Sequence, residues 1–147
     1  MKLRNSAKAI LIHEGKLLVT TYKDKEGVYH LLPGGGQRIG ETLDCTLKRE
    51  CREETGIEVE VNDIWFIREC FMEKAIHRVE FMYDCSLVSY ANLDFSNLSM
   101  DNHQIGTSWL NVDKLLTFSL FPIGIRQLIM ERYKGDYLGP LYLGEIN

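Results

Sequence analysis

Residues 34–57 read GGGQRIGETLDCTLKRECREETGI, and this stretch divides into two unlike parts. Residues 34–40 hold four glycines in seven positions, which marks a loop whose backbone must approach something closely or take positive φ. Residues 42–55 contain neither glycine nor proline and are rich in helix formers, and Gly56 supplies the stop such a helix needs. With Leu43 at the origin and about 100° per residue, Leu47 falls at about 40° and Cys51 at about 80°, which defines an apolar stripe. Glu50 at about 340° and Glu54 at about 20° lie inside that stripe, and Glu53 at about 280° borders it. Lys48 and Arg52 point the other way.

A surface helix is not normally built like this. Unpaired carboxylates are costly to bury, Glu50 and Glu54 repel each other at i,i+4, and the helix dipole disfavours anions near its C-terminus. Arg49 stands one turn before Glu53 and can pair with it, but one guanidinium does not neutralise three carboxylates. Clustered carboxylate oxygens suit a hard divalent cation, and Mg²⁺ in particular bridges carboxylates to substrate phosphates. The plainer alternative is a solvated helix end whose glutamates curl outward. The glycine segment adds backbone groups able to meet ions or phosphates. It is not a phosphate-binding P-loop, because GKS or GKT is absent, and the spacing of a dinucleotide fingerprint fails at Ile39.

Taken together, loop and helix resemble the signature of the Nudix (MutT-like) hydrolases: Gly35, five residues, Glu41, seven residues, Arg49-Glu50, an apolar residue, any residue, Glu53-Glu54, any residue, Gly56, and apolar Ile57. Seven fixed positions at about 7% each match by chance roughly once in 10⁸ windows, so the pattern is specific. Cys51 stands where a bulkier aliphatic is usual, a mild departure for a small hydrophobe. The resemblance implies an α/β/α sandwich around a mixed β-sheet. It also implies Mg²⁺- or Mn²⁺-dependent hydrolysis of a pyrophosphate linkage in a nucleoside diphosphate-linked small molecule. By the same resemblance the metal ligands are Glu50, Glu53 and Glu54 with the Gly34 carbonyl. Glu50 or Glu53 is the general base, and Arg49 and Glu41 form the supporting shell. A non-nucleotide pyrophosphohydrolase and a non-catalytic Nudix-like binding module are the alternatives, although the module often loses glutamates that are all present here.

Outward from this stretch, strands dominate. Residues 8–13 and 16–22 flank Glu14-Gly15 and predict a hairpin, and residues 28–32 form another strand stopped by Pro33. Residues 57–61, 65–72 and 77–90 are β-branched or aromatic runs, 91–106 is a polar connection, and 107–110 is a short strand. Residues 122–133 predict a second helix. The pattern is mixed α/β without a regular βαβ rhythm, in one domain over residues 1–147.

Candidate site residues outside the motif are fewer. Glu80 and Asp101 are candidate further acids, each with a bland reading as a strand face or an Asx turn. Arg38, His77 and Arg78 are candidate substrate contacts. Tyr22, Tyr29, His30, Phe66, Phe71 and Tyr83 are aromatic enough to stack a base, but strand aromatics more often fill cores. Trp109 reads as structural.

Composition excludes other classes. Hydrophobic residues are 45% and charged residues 26% of the 147, as in an ordinary globular protein. No apolar run approaches membrane-span length, and the opening residues lack the single greasy core of a signal peptide. Cys45, Cys51, Cys70 and Cys85 form no short-spaced pair and read as free buried thiols in a reducing, cytoplasmic setting. The net charge of -4 is unevenly placed: residues 41–63 hold 8 acidic and 3 basic residues. No basic patch suggests nucleic acid. Specificity is therefore expected from short loops or from the partner in a homodimer.

Overall fold

A computed structural model of the chain describes residues 1–90 and 104–147. The first strands are β1 (Lys2–His13) and β2 (Lys16–Asp24), joined at Glu14-Gly15. Both turn residues have positive φ, 51° and 76°, as a two-residue turn matched to strand twist requires. Next come β3 (Gly27–Leu31), β4 (Gly34–Gly36) and helix α1 (Leu43–Thr55). The long pair β5 (Ile57–Glu73) and β6 (Ile76–Tyr90) follows. The remainder is β7 (Gln104–Asn111), a 3₁₀ turn (Val112–Thr117), β8 (Leu120–Phe121), α2 (Ile125–Lys134) and β9 (Tyr142–Glu145).

The strands form one mixed sheet in the order β8-β3-β2-β1-β6-β5-β9, with β4 on β1 and β7 on β2. Strands β1 and β6 run parallel from Lys2↔Ile76 to Leu11↔Cys85, whereas β5 and β6 are antiparallel. The other edge of β1 is shared in succession: Ser6–Lys8 pairs with Gly34–Gly36, and Ile12–His13 pairs with β2.

Side-chain alternation along β1 sorts the core into two layers. Ala7, Ala9 and Leu11 pack with Leu47 and Cys51 of α1 on one face. Ile10 packs with Phe66, Met82, and Ile125 and Ile129 of α2 on the other. Small alanines under α1 let the helix lie close to the sheet, and each fully buried leucine or isoleucine contributes about 1.5–3 kcal/mol. The α/β/α sandwich expected from the sequence is the observed architecture. Among the described residues no helix is long and apolar enough to cross a membrane.

Several boundaries differ from the sequence reading. Strand β1 begins at Lys2 rather than at residue 8, because exposed residues 2–5 are held by backbone pairing with β6 rather than by burial. Residues 57–61 and 65–72 fuse into β5, whose register shifts absorb Asn62 and Asp63. Within the expected glycine loop, residues 34–36 are a strand. Helix α2 starts at Ile125, after a turn closed by Ile125 N–H donating to the Pro122 carbonyl. The tail forms β9 on β5. All four cysteines are free, but Cys45 is exposed, since it lies on the outer face of α1.

Candidate active site

Helix α1 begins with Thr42, whose hydroxyl accepts from Cys45 N–H, and ends at Gly56 in the left-handed region with φ 71°. These caps satisfy helix-end groups and fix where the helix starts and stops. The helix presents Arg49 as the hub of an ion-pair network. Its Nε donates to Glu41 Oε2 at 2.7 Å and its Nη2 to Glu41 Oε1 at 2.9 Å. Nη1 donates to Glu50 Oε1 at 2.8 Å and reaches Glu53 Oε2 at 3.4 Å, while Nη2 also reaches the Gly36 carbonyl at 3.2 Å. A two-point Arg–carboxylate pair fixes direction as well as charge. The guanidinium holds the Glu41 carboxyl down at about pKa 2, helped by the Arg38 N–H and the Thr46 hydroxyl, while Glu41 and Glu50 push Arg49 further up.

The glutamates inside the apolar stripe are accommodated differently. Glu54 is only 4% exposed, among Leu47 and Cys51 on the buried side of α1, and its Oε1 accepts the Gly34 N–H at 3.2 Å. Glu50 and Glu53 are partly exposed and share Arg49. Strand β4 explains how Glu50 comes so close to the sheet: a Cβ on Gly35 would lie 2.6 Å from its carboxyl carbon. On Gly34, with φ 141°, a Cβ would lie 2.0 Å from the Ala7 carbonyl oxygen. The first two glycines are therefore steric requirements, one of the helix carboxylate and one of β1.

Gly34–Gly36 and Glu50 line a cleft of about 530 Å³. Its floor is formed by Lys8 of β1, Arg78 and Glu80 of β6, and Arg68 of β5. An apolar wall comes from Leu31, Phe121 and Pro122. Arg68 Nε donates to Glu80 Oε1 at 2.7 Å in a pair whose side chains are both 7% exposed. Arg68 Nη1 also donates to the Ile146 carbonyl. Arg78 donates to the Ser6 hydroxyl at 3.2 Å, and Lys8 Nζ lies 3.5 Å from the Leu32 carbonyl.

The fold thus gathers Glu50, Gly34, Glu80 and Arg78 around one cleft or its rim, with Glu41, Arg49 and Glu53 in the network behind Glu50 and Glu54 bonded to the Gly34 N–H. Other candidates lie elsewhere. Arg38 is exposed beside a separate shallow depression with Leu3 and Arg4, where its backbone N–H supports Glu41. His77 stacks on Phe71 at 4.3 Å and bonds Glu69 at 2.7 Å. Asp101 lies outside the described residues. The candidate stacking aromatics do not line the cleft: Phe66 is core, Tyr22 and Tyr29 stack on each other, and His30 is buried against Thr21.

Sequence reasoning missed Lys8, Arg68 and Phe121. Arg68 carried a signal, because it alternates with Phe66 and Cys70 on the buried face of β5, where a charged residue calls for a partner or a ligand. Trp109 packs half-buried against the α1-side cluster, as a structural residue.

A mixed sheet between two helices, with an arginine-locked glutamate helix meeting a glycine strand at a charged cleft, defines an α/β/α sandwich with a carboxylate-bearing site. The chain belongs to the Nudix family: the NUDIX domain matches residues 2–130. It is 26% identical over 133 residues to the nucleoside triphosphatase NudI of Enterobacter sp. (strain 638), covering 82% of this chain and 90% of that one. Its fold is similar to a NUDIX hydrolase from Nitrosomonas europaea, with TM-score 0.74 at 17% identity over 92% of this chain and 91% of that one. It is also similar to a MutT protein from Methanosarcina mazei Go1, with TM-score 0.66 at 23% identity over 93% and 96%.

Proposed function

We propose that the chain, acting as one domain, hydrolyses the pyrophosphate linkage of a nucleoside triphosphate with the help of Mg²⁺ or Mn²⁺. One observation carries the reading: Glu50, held by Arg49 and packed on Gly35, stands at the mouth of a cleft whose floor also bears Lys8 and Arg78. The triphosphate is favoured over other nucleotide derivatives because the relative with 90% of its length matched is named a nucleoside triphosphatase.

The donor set fits a hard divalent ion by its chemistry. Glu50, Glu53 and Glu54 offer carboxylate oxygens from one helix turn, and Gly34 offers a carbonyl. Among the described residues no three such side chains converge as they stand; Arg49 holds two of the glutamates, and Gly34 N–H holds the third. When bound, the ion neutralises diphosphate oxygens and lowers the pKa of a nearby water. Arg49 and Glu41 hold Glu50 and Glu53 in register. Glu50 or Glu53 accepts the water's proton on the carboxylate oxygen that Arg49 does not engage. Lys8 and Arg78 attract the phosphates. The water oxygen bonds to one phosphorus of the linkage as the bond from that phosphorus to the bridging oxygen breaks, and the bridging oxygen leaves on the other phosphoryl group.

The test is kcat/KM for a panel of nucleoside triphosphates, nucleotide sugars, ADP-ribose and dinucleoside polyphosphates with Mg²⁺, with Glu53→Gln as the blank. Fastest turnover of a triphosphate supports the reading. Tight binding without turnover of any compound identifies a binding module and sinks it.

A further inference from the structure

We propose that Glu80 determines specificity: its carboxylate accepts an N–H from the pairing edge of the substrate's base. This deepens the nucleoside triphosphate reading above and rests on it. Glu80 lies on the cleft floor, 6% exposed, and so belongs to the rare class of deeply buried acids. Its Oε1 is held by Arg68 Nε, and Arg68 is itself tied to the Ile146 carbonyl. Among the described residues no hydrogen bond reaches the other oxygen, Oε2. That oxygen is nevertheless not sealed in the core, since among the described residues only Arg132 Nε is both buried and unbonded. A rigid acceptor at the surface of a cleft is therefore left with capacity for one donor.

The chemistry of the cleft says which donor. Glu80 Oε2 and phosphate oxygens are all acceptors, so the phosphates belong toward Lys8, which pairs with Gly34 at the Glu50 end of the cleft. The part of the ligand that meets Glu80 must offer hydrogens. The wall of Leu31, Phe121 and Pro122 belongs to the same cleft, and Phe121 is 40% exposed. A flat heterocycle seated on that wall presents its amine or imide N–H to Glu80. Sites that pair buried polar groups with a ligand reject analogues lacking the partner more strongly than apolar pockets reject a missing methylene.

The experiment compares matched nucleotides on the unmodified protein and on Glu80→Gln, which keeps an oxygen for Arg68 and turns Oε2 into a donor. The pairs are CTP and UTP against 2-pyrimidinone riboside triphosphate, and ATP against purine riboside triphosphate. The corresponding monophosphates are titrated for Kd without turnover. Loss of the base N–H should lower kcat/KM and raise the monophosphate Kd about tenfold to a hundredfold in the unmodified protein. In Glu80→Gln that discrimination should vanish. Hydrolysis with ratios within twofold overturns the assignment and leaves the hydrolase reading standing. No hydrolysis but a preserved Kd ratio overturns the hydrolase reading and leaves Glu80 standing. Absence of both sinks both. Equal loss on every substrate in Glu80→Gln, with the ratio intact, assigns Glu80 to the reaction centre instead and overturns the proposal. Should Glu80→Gln fail to fold, Glu80→Asp, which withdraws the carboxylate by one methylene, takes its place, and an unchanged ratio in it overturns the assignment.

Discussion

The Glu50 carboxylate occupies the space that a side chain on Gly35 would take: an added Cβ would stand 2.6 Å from its carboxyl carbon and 2.8 Å from both oxygens. Gly35 does not need positive φ, so alanine is tolerated by the backbone there, and its nearest contacts are at the far end of a flexible side chain. Gly35→Ala should therefore fold with a melting temperature close to the parent's while Glu50 is displaced. Misplacement of a reacting group by about 1 Å costs about 10²-fold in rate, so kcat/KM should fall on that scale. A Gly35→Ala protein with parental kcat/KM would show that Glu50 does not act from this position.

Glu53→Gln should leave the fold unchanged, because Glu53 is partly exposed and only grazes Arg49 at 3.4 Å. A general base or an essential ligand typically contributes about 10²–10⁴-fold, and turnover should drop by that amount at saturating Mg²⁺. Circular dichroism checks the fold, and steady-state kinetics checks the loss. Turnover within a factor of two of the parent removes Glu53 from the site.

The Arg49–Glu41 pair should appear in the pH dependence of stability. The folded-state pKa of Glu41 is depressed to about 2 from an ordinary value near 4.5 by the Arg49 hydrogen bonds. A depressed carboxyl stabilises the fold fully above its unfolded pKa, and the contribution is lost as pH falls through the folded pKa. Glu41→Gln should therefore lower the melting temperature at pH 7, and the gap to the parent should close between about pH 4.5 and pH 2. Melting curves across that range are the measurement. A gap that is the same at pH 7 and pH 2 would mean that the pair does not stabilise the fold through ionisation.

The legible features were those written within one helix turn. Glu50 and Glu54 violate the apolar stripe of α1 locally, so a helical wheel exposes them, and Gly56 marks the end through its own conformational freedom. Features that depend on partners distant in sequence were hidden. Lys2–Asn5 form strand through backbone bonds to residues 76–79, with side chains that stay exposed. Gly34 and Gly35 have poor strand propensity, yet the close approaches of Ala7 and Glu50 demand them. Arg68 meets Glu80 across the β5–β6 pairing, 12 residues away in sequence, and no local pattern names its partner.

Gly34 and Gly36 offer the sharpest contrast in stability. A Cβ on Gly34 would sit 2.0 Å from the Ala7 carbonyl oxygen and 2.9 Å from Lys8 Cα, both backbone atoms, at a φ of 141° that L side chains rarely adopt. Neither strand can yield cheaply, because β1 is pinned on its other edge by β6. On Gly36 an added Cβ meets nothing within 4 Å, and its φ is not positive. Gly34→Ala should thus lower the melting temperature by many degrees or prevent folding, with backbone strain alone costing about 1–3 kcal/mol. Gly36→Ala should be neutral or slightly stabilising, since alanine reduces the entropy of the unfolded chain by about 0.4–1 kcal/mol. Equal destabilisation by the two substitutions in denaturant titrations would refute the steric account of the glycine strand.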